Sequence, residues 1–309
     1  MPSVADQLPR GGRVLIIRLR SLGDCVLTTP AIALLHEYRP DLSIAVMADK
    51  AFRPVFEGNP AVQMLPEPTI AEAFGYRPHL TLNFHGGTRS MQLTAASLAR
   101  WRAGFAHHSL SGIYNVRIPR AQEILGEERT VHTAEHLASA MFHLGVPRRE
   151  IPRARLFPPA AQPESHTAPR VPFCLLHPFA ATPEKTWPAE RFVRLAEHIR
   201  DAMGLAPMFL GSPKDDFAPF HNFPCFIGAP LDEIKQLLSM ASLFVGNDSG
   251  PAHMAAAFGL PVLVLFGPSD HVVWRPWQTP YELLKSEGSC ARIPFEDAVA
   301  ALGRLEVKG

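Results

Sequence analysis

The segment Val245-Gly246-Asn247-Asp248-Ser249-Gly250-Pro251-Ala252-His253 reads as a strand end, a small polar turn and a helix start. A helix start presents unpaired N–H groups and partial positive charge, a natural seat for a pyrophosphate. Asp248 and Ser249 are also good helix caps, so the nine residues alone leave binding and capping both open. A second segment, Leu176 to Pro188, carries Lys185 from the end of another strand towards the next helix. An ammonium placed there would neutralise a phosphate whose negative charge grows as a sugar leaves it; the alternative is a solvated loop lysine. Trp187-Pro188 reads as packing at the helix entrance. The third segment is Arg18-Leu19-Arg20-Ser21-Leu22-Gly23-Asp24. It lacks the G-x-G-x-x-G fingerprint, which disfavours a nicotinamide or flavin site. Asp24 would either cap the following helix or take the proton from an attacking hydroxyl. Arg18 and Arg20, flanking the turn, suit phosphate or carboxylate recognition.

The elements that must position these residues follow from hydrophobic patterning. Val14 to Ile17 is a short β-branched run, the mark of a strand buried on both faces. Apolar residues then recur at helical spacing from Val26 to Tyr38, with Pro30 read near the helix start, and Leu42 to Met47 is a second strand. Strand, turn, helix and strand make a βαβ unit. Leu80 to Phe84 is a strand reaching the Gly86-Gly87 turn, with a helix predicted from Met91 to Arg100. Another helix runs from His132 to Leu144, closed by Gly145 and Pro147. After a linker rich in Pro and Ala, alternation restarts. Strands are read at Phe173–Leu176, Met208–Leu210, Leu243–Val245 and Val262–Phe266, and helices at Ala189–Met203 and Pro251–Phe258. The predicted fold class is α/β, with two Rossmann-like, doubly wound domains facing across a cleft. The first covers 1–157, the linker 158–170 and the second 171–309. A last helix, Phe295 to Leu305, is expected to pack back on the first domain. Ligands of such sheets lie at the carboxyl ends of the strands, where all three segments fall.

Composition narrows the class. With 47% apolar and 19% charged residues, the chain can bury full cores. Thirty Lys and Arg against 29 Asp and Glu leave +1, which argues against a nucleic-acid-binding polycation. Cys25, Cys174, Cys225 and Cys290 form no C-x-x-C pair, against a zinc ribbon or disulfide framework and in keeping with a reducing compartment. No apolar run approaches the ~20 residues of a membrane span, and the first residues lack the apolar core of a secretory signal. The reading is a cytoplasmic protein. His132 and His136, at i and i+4, have spacing compatible with a metal, yet no cysteine or carboxylate pair completes such a site.

Taken together, the segments resemble the glycosyltransferase family that includes the ADP-heptose:lipopolysaccharide heptosyltransferases. The resemblance rests on VLIIRLRSLGDCVLTTPAI, NFHGGTRS, HPFAATPEKTWPAERF and FVGNDSGPAHMAAAFGLPVLVLFGPSD, and runs from about Val14 to Trp277. It implies a GT-B fold, acceptor bound by the first domain and nucleotide-sugar donor by the second, with inversion at the anomeric carbon and no essential metal or other cofactor. The donor would be ADP-heptose or a similar nucleotide sugar, and the acceptor an anionic glycolipid, the lipopolysaccharide core. Asp24 occupies the position of the family's base and Lys185 that of its phosphate-binding lysine. Asp248 falls where the family contacts the donor sugar, with Ser249, Gly250 and His253 beside the phosphates. Asp215 sits near an acidic residue that holds the ribose, although a slip of one residue would exchange it for Asp216. The loop Phe179-Ala180-Ala181 lacks hydroxyls that some members place near phosphate. Scattered cysteines do not fit the iron-binding pattern of related protein-modifying heptosyltransferases.

An anionic acceptor gives meaning to Arg89, Arg100, Arg102, Arg117 and Arg120, interleaved with Trp101, Phe105 and Tyr114, although helix surfaces carry arginine routinely. Arg89, after the glycine turn, is the best acceptor-binding candidate beside Arg18 and Arg20. Peripheral contact with the cytoplasmic face of the inner membrane would follow from such an acceptor. Two other functions stay open at this point: a nucleotide-sugar epimerase of similar fold, and a non-catalytic nucleotide-sugar-binding protein.

Overall fold

A computed structural model describes residues 3–108, 111–159 and 171–307 of the chain. The stretch 160–170 of the expected linker lies outside the described residues. The chain divides into two compact units, Met1–Leu156 and Phe157–Gly309.

The first unit holds five parallel strands: β1 (Arg13–Ile17), β2 (Ser43–Met47), β3 (Leu80–Asn83), β4 (Trp101–Phe105) and β5 (Val116–Ile118). Their order is β2-β1-β3-β4-β5. Val14, Leu15, Ile16 and Ile17 are all fully buried, because β1 is covered on both faces. The chain goes from β1 outward to β2, then returns to the other side of β1 with β3. The order therefore reverses between β1 and β3, and their carboxyl ends, near Arg18 and Phe84, are the ligand-binding switch point of such a sheet.

The second unit holds six parallel strands: β6 (Phe173–His177), β7 (Ala206–Gly211), β8 (Cys225–Ile227), β9 (Leu243–Asn247), β10 (Val262–Phe266) and β11 (Tyr281–Lys285). Their order, β11-β10-β9-β6-β7-β8, reverses between β6 and β9. Those two strands lead into the Lys185 segment and the Asp248 segment. Both chemically suggestive segments of this unit thus start at one switch point.

Several local expectations need correction. The first long helix spans Leu22–Tyr38, four residues earlier than its apolar periodicity indicates, so Pro30 lies inside it. A proline there cannot donate to the carbonyl of Val26. Thr29 Oγ1 donates to that carbonyl instead, at 2.8 Å, which lets the helix continue. The helix read over Met91 to Arg100 is Thr88–Ala96. Of the arginines that follow, Arg102 lies on β4 and Arg117 on β5, while Arg100 precedes β4 and Arg120 stands at the N-cap of the helix Ala121–Leu125. The last helix, Phe295–Leu302, places Ala298, Ala301 and Leu302 in the core of the second unit, with Ile199, Leu263 and Leu265. Its buried face belongs to that core.

Candidate functional site

In the first unit the site is built on the turn after β1. Asp24 falls in the first turn of the helix Leu22–Tyr38, where a carboxylate is favoured by the helix dipole. It is not the cap: Ser21 holds that position, and its hydroxyl donates to Asp24 Oδ2 at 2.9 Å. Asp24 Oδ1 is paired with Arg18 Nη2, and Arg18 Nη1 donates to the carbonyl of Phe84 at the end of β3. Arg18 thus ties the carboxylate to both strands of the switch point. Burial lowers the pKa of this guanidinium to about 10, still far above neutrality, so Arg18 is charged at pH 7. The Asp24 side chain keeps 23% of its surface exposed, enough for a hydroxyl to reach it. A carboxylate held this way can accept a proton.

Cys25 beside it is no nucleophile. It is buried, its thiol donates to the carbonyl of Arg18 at 3.7 Å, and desolvation pushes its pKa up to about 12.

The other cations of this unit differ in their engagement. Arg20 is exposed, and its carbonyl lies 3.2 Å from His85 Nδ1. Arg89 is tied to Asp49 Oδ1 at 2.7 Å and to the carbonyl of Pro68 at 3.1 Å, so its charge is partly matched within the unit. Arg102 donates to the carbonyls of Ile113 and Ala99, and Arg100 lies over the Trp101 ring. His132 and His136 do not form a metal pair. His132 is fully buried and accepts the Ala134 N–H on Nδ1 as the helix cap, while His136 stacks on Phe105 at 4.0 Å.

In the second unit Lys185 and Asp248 come together, Nζ to Oδ2 at 3.3 Å, with 31% and 9% of their side chains exposed. Neither Asp248 nor Ser249 caps the helix Gly250–Phe258. Ser249 stands at the cap position without a side-chain cap bond, and its hydroxyl meets His177 Nδ1 at 3.1 Å. The helix therefore keeps an N-terminus without a side-chain cap beside a lysine, with Gly250 at its first position. That arrangement can hold a diphosphate. His253, one turn further on, is buried with its Nδ1 unpartnered and its ring edge-on to Trp274 at 6.1 Å. Burial lowers its pKa, and Asp248 opposes that effect.

Asp215 and Asp216 differ in their contacts. Asp215 Oδ2 accepts the Ser212 N–H at 2.6 Å, and a Cβ on Gly211 would fall 2.9 Å from that oxygen. Asp215 is half-buried after β7 and acts electrostatically on His177. Asp216 is exposed and accepts the Ala218 N–H at 3.0 Å, as a turn residue does.

Sequence reasoning missed two residues here. Asn247, fully buried at the end of β9, donates from Nδ2 to the Pro178 carbonyl at 2.8 Å and accepts the Trp187 N–H at 3.1 Å. One side chain thus holds both ends of the segment bearing Lys185. His177 joins Ser249 to the field of Asp215, and desolvation lowers its pKa to about 4, so it is neutral at pH 7. Trp187 packs the entrance of the helix Ala189–Met203, as expected. It is fully buried, edge-on to Phe192, with Nε1 bonded to the Ile293 carbonyl at 2.9 Å.

The chain is similar to lipopolysaccharide heptosyltransferase 3 of Escherichia coli, 25% identical with 93% of this chain and 97% of that protein covered. Its fold is similar to that of the glycosyl transferase family 9 protein of Veillonella parvula, with a TM-score of 0.81, 21% identity, and 94% and 96% of the two chains covered. It is also similar to that of the E. coli heptosyltransferase WaaC solved with ADP, with a TM-score of 0.78, 16% identity, and 94% and 99% covered. The family model for glycosyltransferase family 9 (heptosyltransferase) matches residues 79–293, well over half of the chain. From β3 through the Lys185 and Asp248 segments, then, the chain belongs to glycosyltransferase family 9, the heptosyltransferases.

Proposed function

We propose that this protein transfers a heptose from ADP-heptose to an acceptor sugar of the lipopolysaccharide core, with inversion at the anomeric carbon. The first unit binds the acceptor and the second the donor. The observation that carries this reading is the meeting of Lys185, Asp248 and the Gly250–Phe258 helix start at one switch point, since it supplies both charge and N–H groups for a diphosphate. Asp215 holds the ribose and Asp248 orients the donor sugar. Ser249, Gly250 and His253 line the phosphates. The acceptor hydroxyl attacks the anomeric carbon from the face opposite the diphosphate, and Asp24 takes its proton as the new bond forms. Lys185 and the helix start stabilise ADP as the carbon–oxygen bond to it breaks. Arg18, Arg20 and Arg89 serve the acceptor side.

The resemblance to lipopolysaccharide heptosyltransferase 3 supports the donor and the acceptor class. An acceptor anchored in a lipid leaflet would bring the enzyme to the cytoplasmic face of the inner membrane. Among the described residues, no helix is long and apolar enough to cross a membrane. Nothing observed favours the epimerase reading.

The test is transfer from ADP-heptose to lipopolysaccharide core truncated before heptose addition is complete, with GDP-, UDP- and CMP-sugars as controls. ADP release that depends on the acceptor, with a heptose added to the core, supports the reading. A change in the donor without any acceptor would favour an epimerase, and donor binding without turnover a non-catalytic protein.

A further inference from the structure

Four histidines that the proposed reaction does not use converge at the carboxyl ends of β3 and β4. His85 follows β3; His107 and His108 follow β4; His136 lies on the helix Thr133–Leu144. The ring centroids of His107 and His108 are 5.0 Å apart, and those of His107 and His136 are 5.7 Å apart. Phe105 forms the floor, stacked on His136 at 4.0 Å and lying 5.5 Å from His107. His108 is fixed by Tyr114, whose hydroxyl is 3.3 Å from Nδ1, and by Gly86. Gly86 has a φ of +77°, and a Cβ there would fall 2.5 Å from His108 Nε2, so only glycine lets the imidazole lie over the β3 turn.

The charges acting on the cluster are mostly positive. Arg18 acts on His85, His108 and His136, and Arg120 acts on His107. Asp49 reaches only His85, against larger opposing effects, and Asp24 is already paired with Arg18. Among the described residues none of the four imidazoles is salt-bridged to a carboxylate. Arg18 Nε is also buried without a hydrogen-bond partner. Imidazoles gathered beside a guanidinium whose Nε lacks a partner offer N–H donors from several directions to an anion. His107 is exposed and His108 partly so, which leaves the cluster open to a ligand.

We propose that His85, His107 and His108, together with Arg18, form a subsite for a phosphomonoester carried by the acceptor. This rests on the first unit being the acceptor-binding half of a glycosyltransferase. A phosphomonoester offers several acceptor oxygens to donors arriving from different strands, and its second pKa, near 6, lies in the range of imidazole. Burial and neighbouring positive charge lower the pKa of His108 and of His136 to about 4, so both are neutral at pH 7 when the site is empty. A dianion raises the proton affinity of its imidazole partners, so their titration midpoints rise when it binds.

The experiment follows the histidine ring resonances by NMR while inorganic phosphate is added at pH 6.5, with acetate as the control and ADP as the probe of the second unit. Phosphate should move the His107 and His108 resonances and raise their titration midpoints by about one pH unit. Acetate should bind far more weakly. His107→Gln, at an exposed position, should reduce phosphate affinity about tenfold while ADP affinity is unchanged. Unmoved resonances, or equal phosphate affinity in His107→Gln, overturn the proposal, as does an equal response to acetate. Transfer by the natural protein to an acceptor stripped of phosphate tests the glycosyltransferase reading separately, because that activity stands or falls without the histidine subsite.

Discussion

Lys185 Nζ lies 3.3 Å from Asp248 Oδ2, an ion pair that joins the segment after β6 to the segment after β9. The two residues are 63 positions apart in sequence, and the reversal of strand order between β6 and β9 brings them together. Asp248 is almost covered while Lys185 keeps 31% of its side chain exposed, so the ammonium can turn to an arriving diphosphate without leaving its partner far behind.

Lys185→Ala should weaken ADP binding and slow transfer by about 10²-fold, the usual cost of removing one electrostatic donor from a leaving group. Lys185→Arg keeps the charge and should recover part of both. Calorimetry with ADP and steady-state transfer separate the two effects. Unchanged kinetics in Lys185→Ala would make it an ordinary loop lysine.

Asn247→Ala removes both anchors of the Lys185 segment and leaves the Pro178 carbonyl and the Trp187 N–H without their partner. The expected cost is about 1–3 kcal/mol of stability per buried group left unsatisfied, together with a raised KM for donor. Asn247→Asp keeps an acceptor for Trp187 and should fall between. Urea unfolding and donor kinetics on the same samples check this. A loss of stability with an unaltered KM would confine Asn247 to folding.

Asp215→Asn should weaken ADP binding by about tenfold, the loss of one hydrogen bond to a charged group. Asp216→Asn should stay within about twofold, as surface substitutions do. The opposite ranking would place the ribose on the exposed residue.

The linkage of His177 to stability has a definite sign. Unfolded, it titrates near its ordinary value of 6.5; in the folded protein its pKa is lowered to about 4 by burial. Between these values the unfolded chain holds more protons, so stability is full above about pH 6.5 and declines as the pH falls towards 4. The slope from this residue is at most about 1.4 kcal/mol per pH unit. His177→Gln should flatten that part of the profile, measured as urea midpoints from pH 7 to 4.5, while costing donor affinity through Ser249. An unchanged profile would mean that His177 protonates freely in the folded state.

Much of this site was legible before folding was considered, and the reason is chemical. β1, β3, β6, β9 and β10 are short apolar runs because parallel strands are buried on both faces, and their ends point to Asp24, Lys185 and Asp248. Strands β4, β5 and β11 were not legible, because WRAGF, VRI and YELLK each carry charge and none is a continuous apolar run. The start of the helix Leu22–Tyr38 was missed because Gly23 and Asp24 are poor helix formers, held there by Ser21 and Arg18. Asn247 and His177 could not be assigned from sequence, because their partners are 60 and 72 residues away. The histidine cluster is likewise assembled only by the pairing of β3 with β4.

The base assignment of Asp24 is tested most directly by transfer kinetics of Asp24→Asn alongside its affinity for ADP and its melting temperature. Positioned base catalysis contributes about 10²–10⁴-fold, so kcat should fall by that factor while ADP binds as before and the protein stays folded. Turnover within about threefold of the natural protein, a difference too small for a lost base, would contradict the assignment and with it the proposed mechanism.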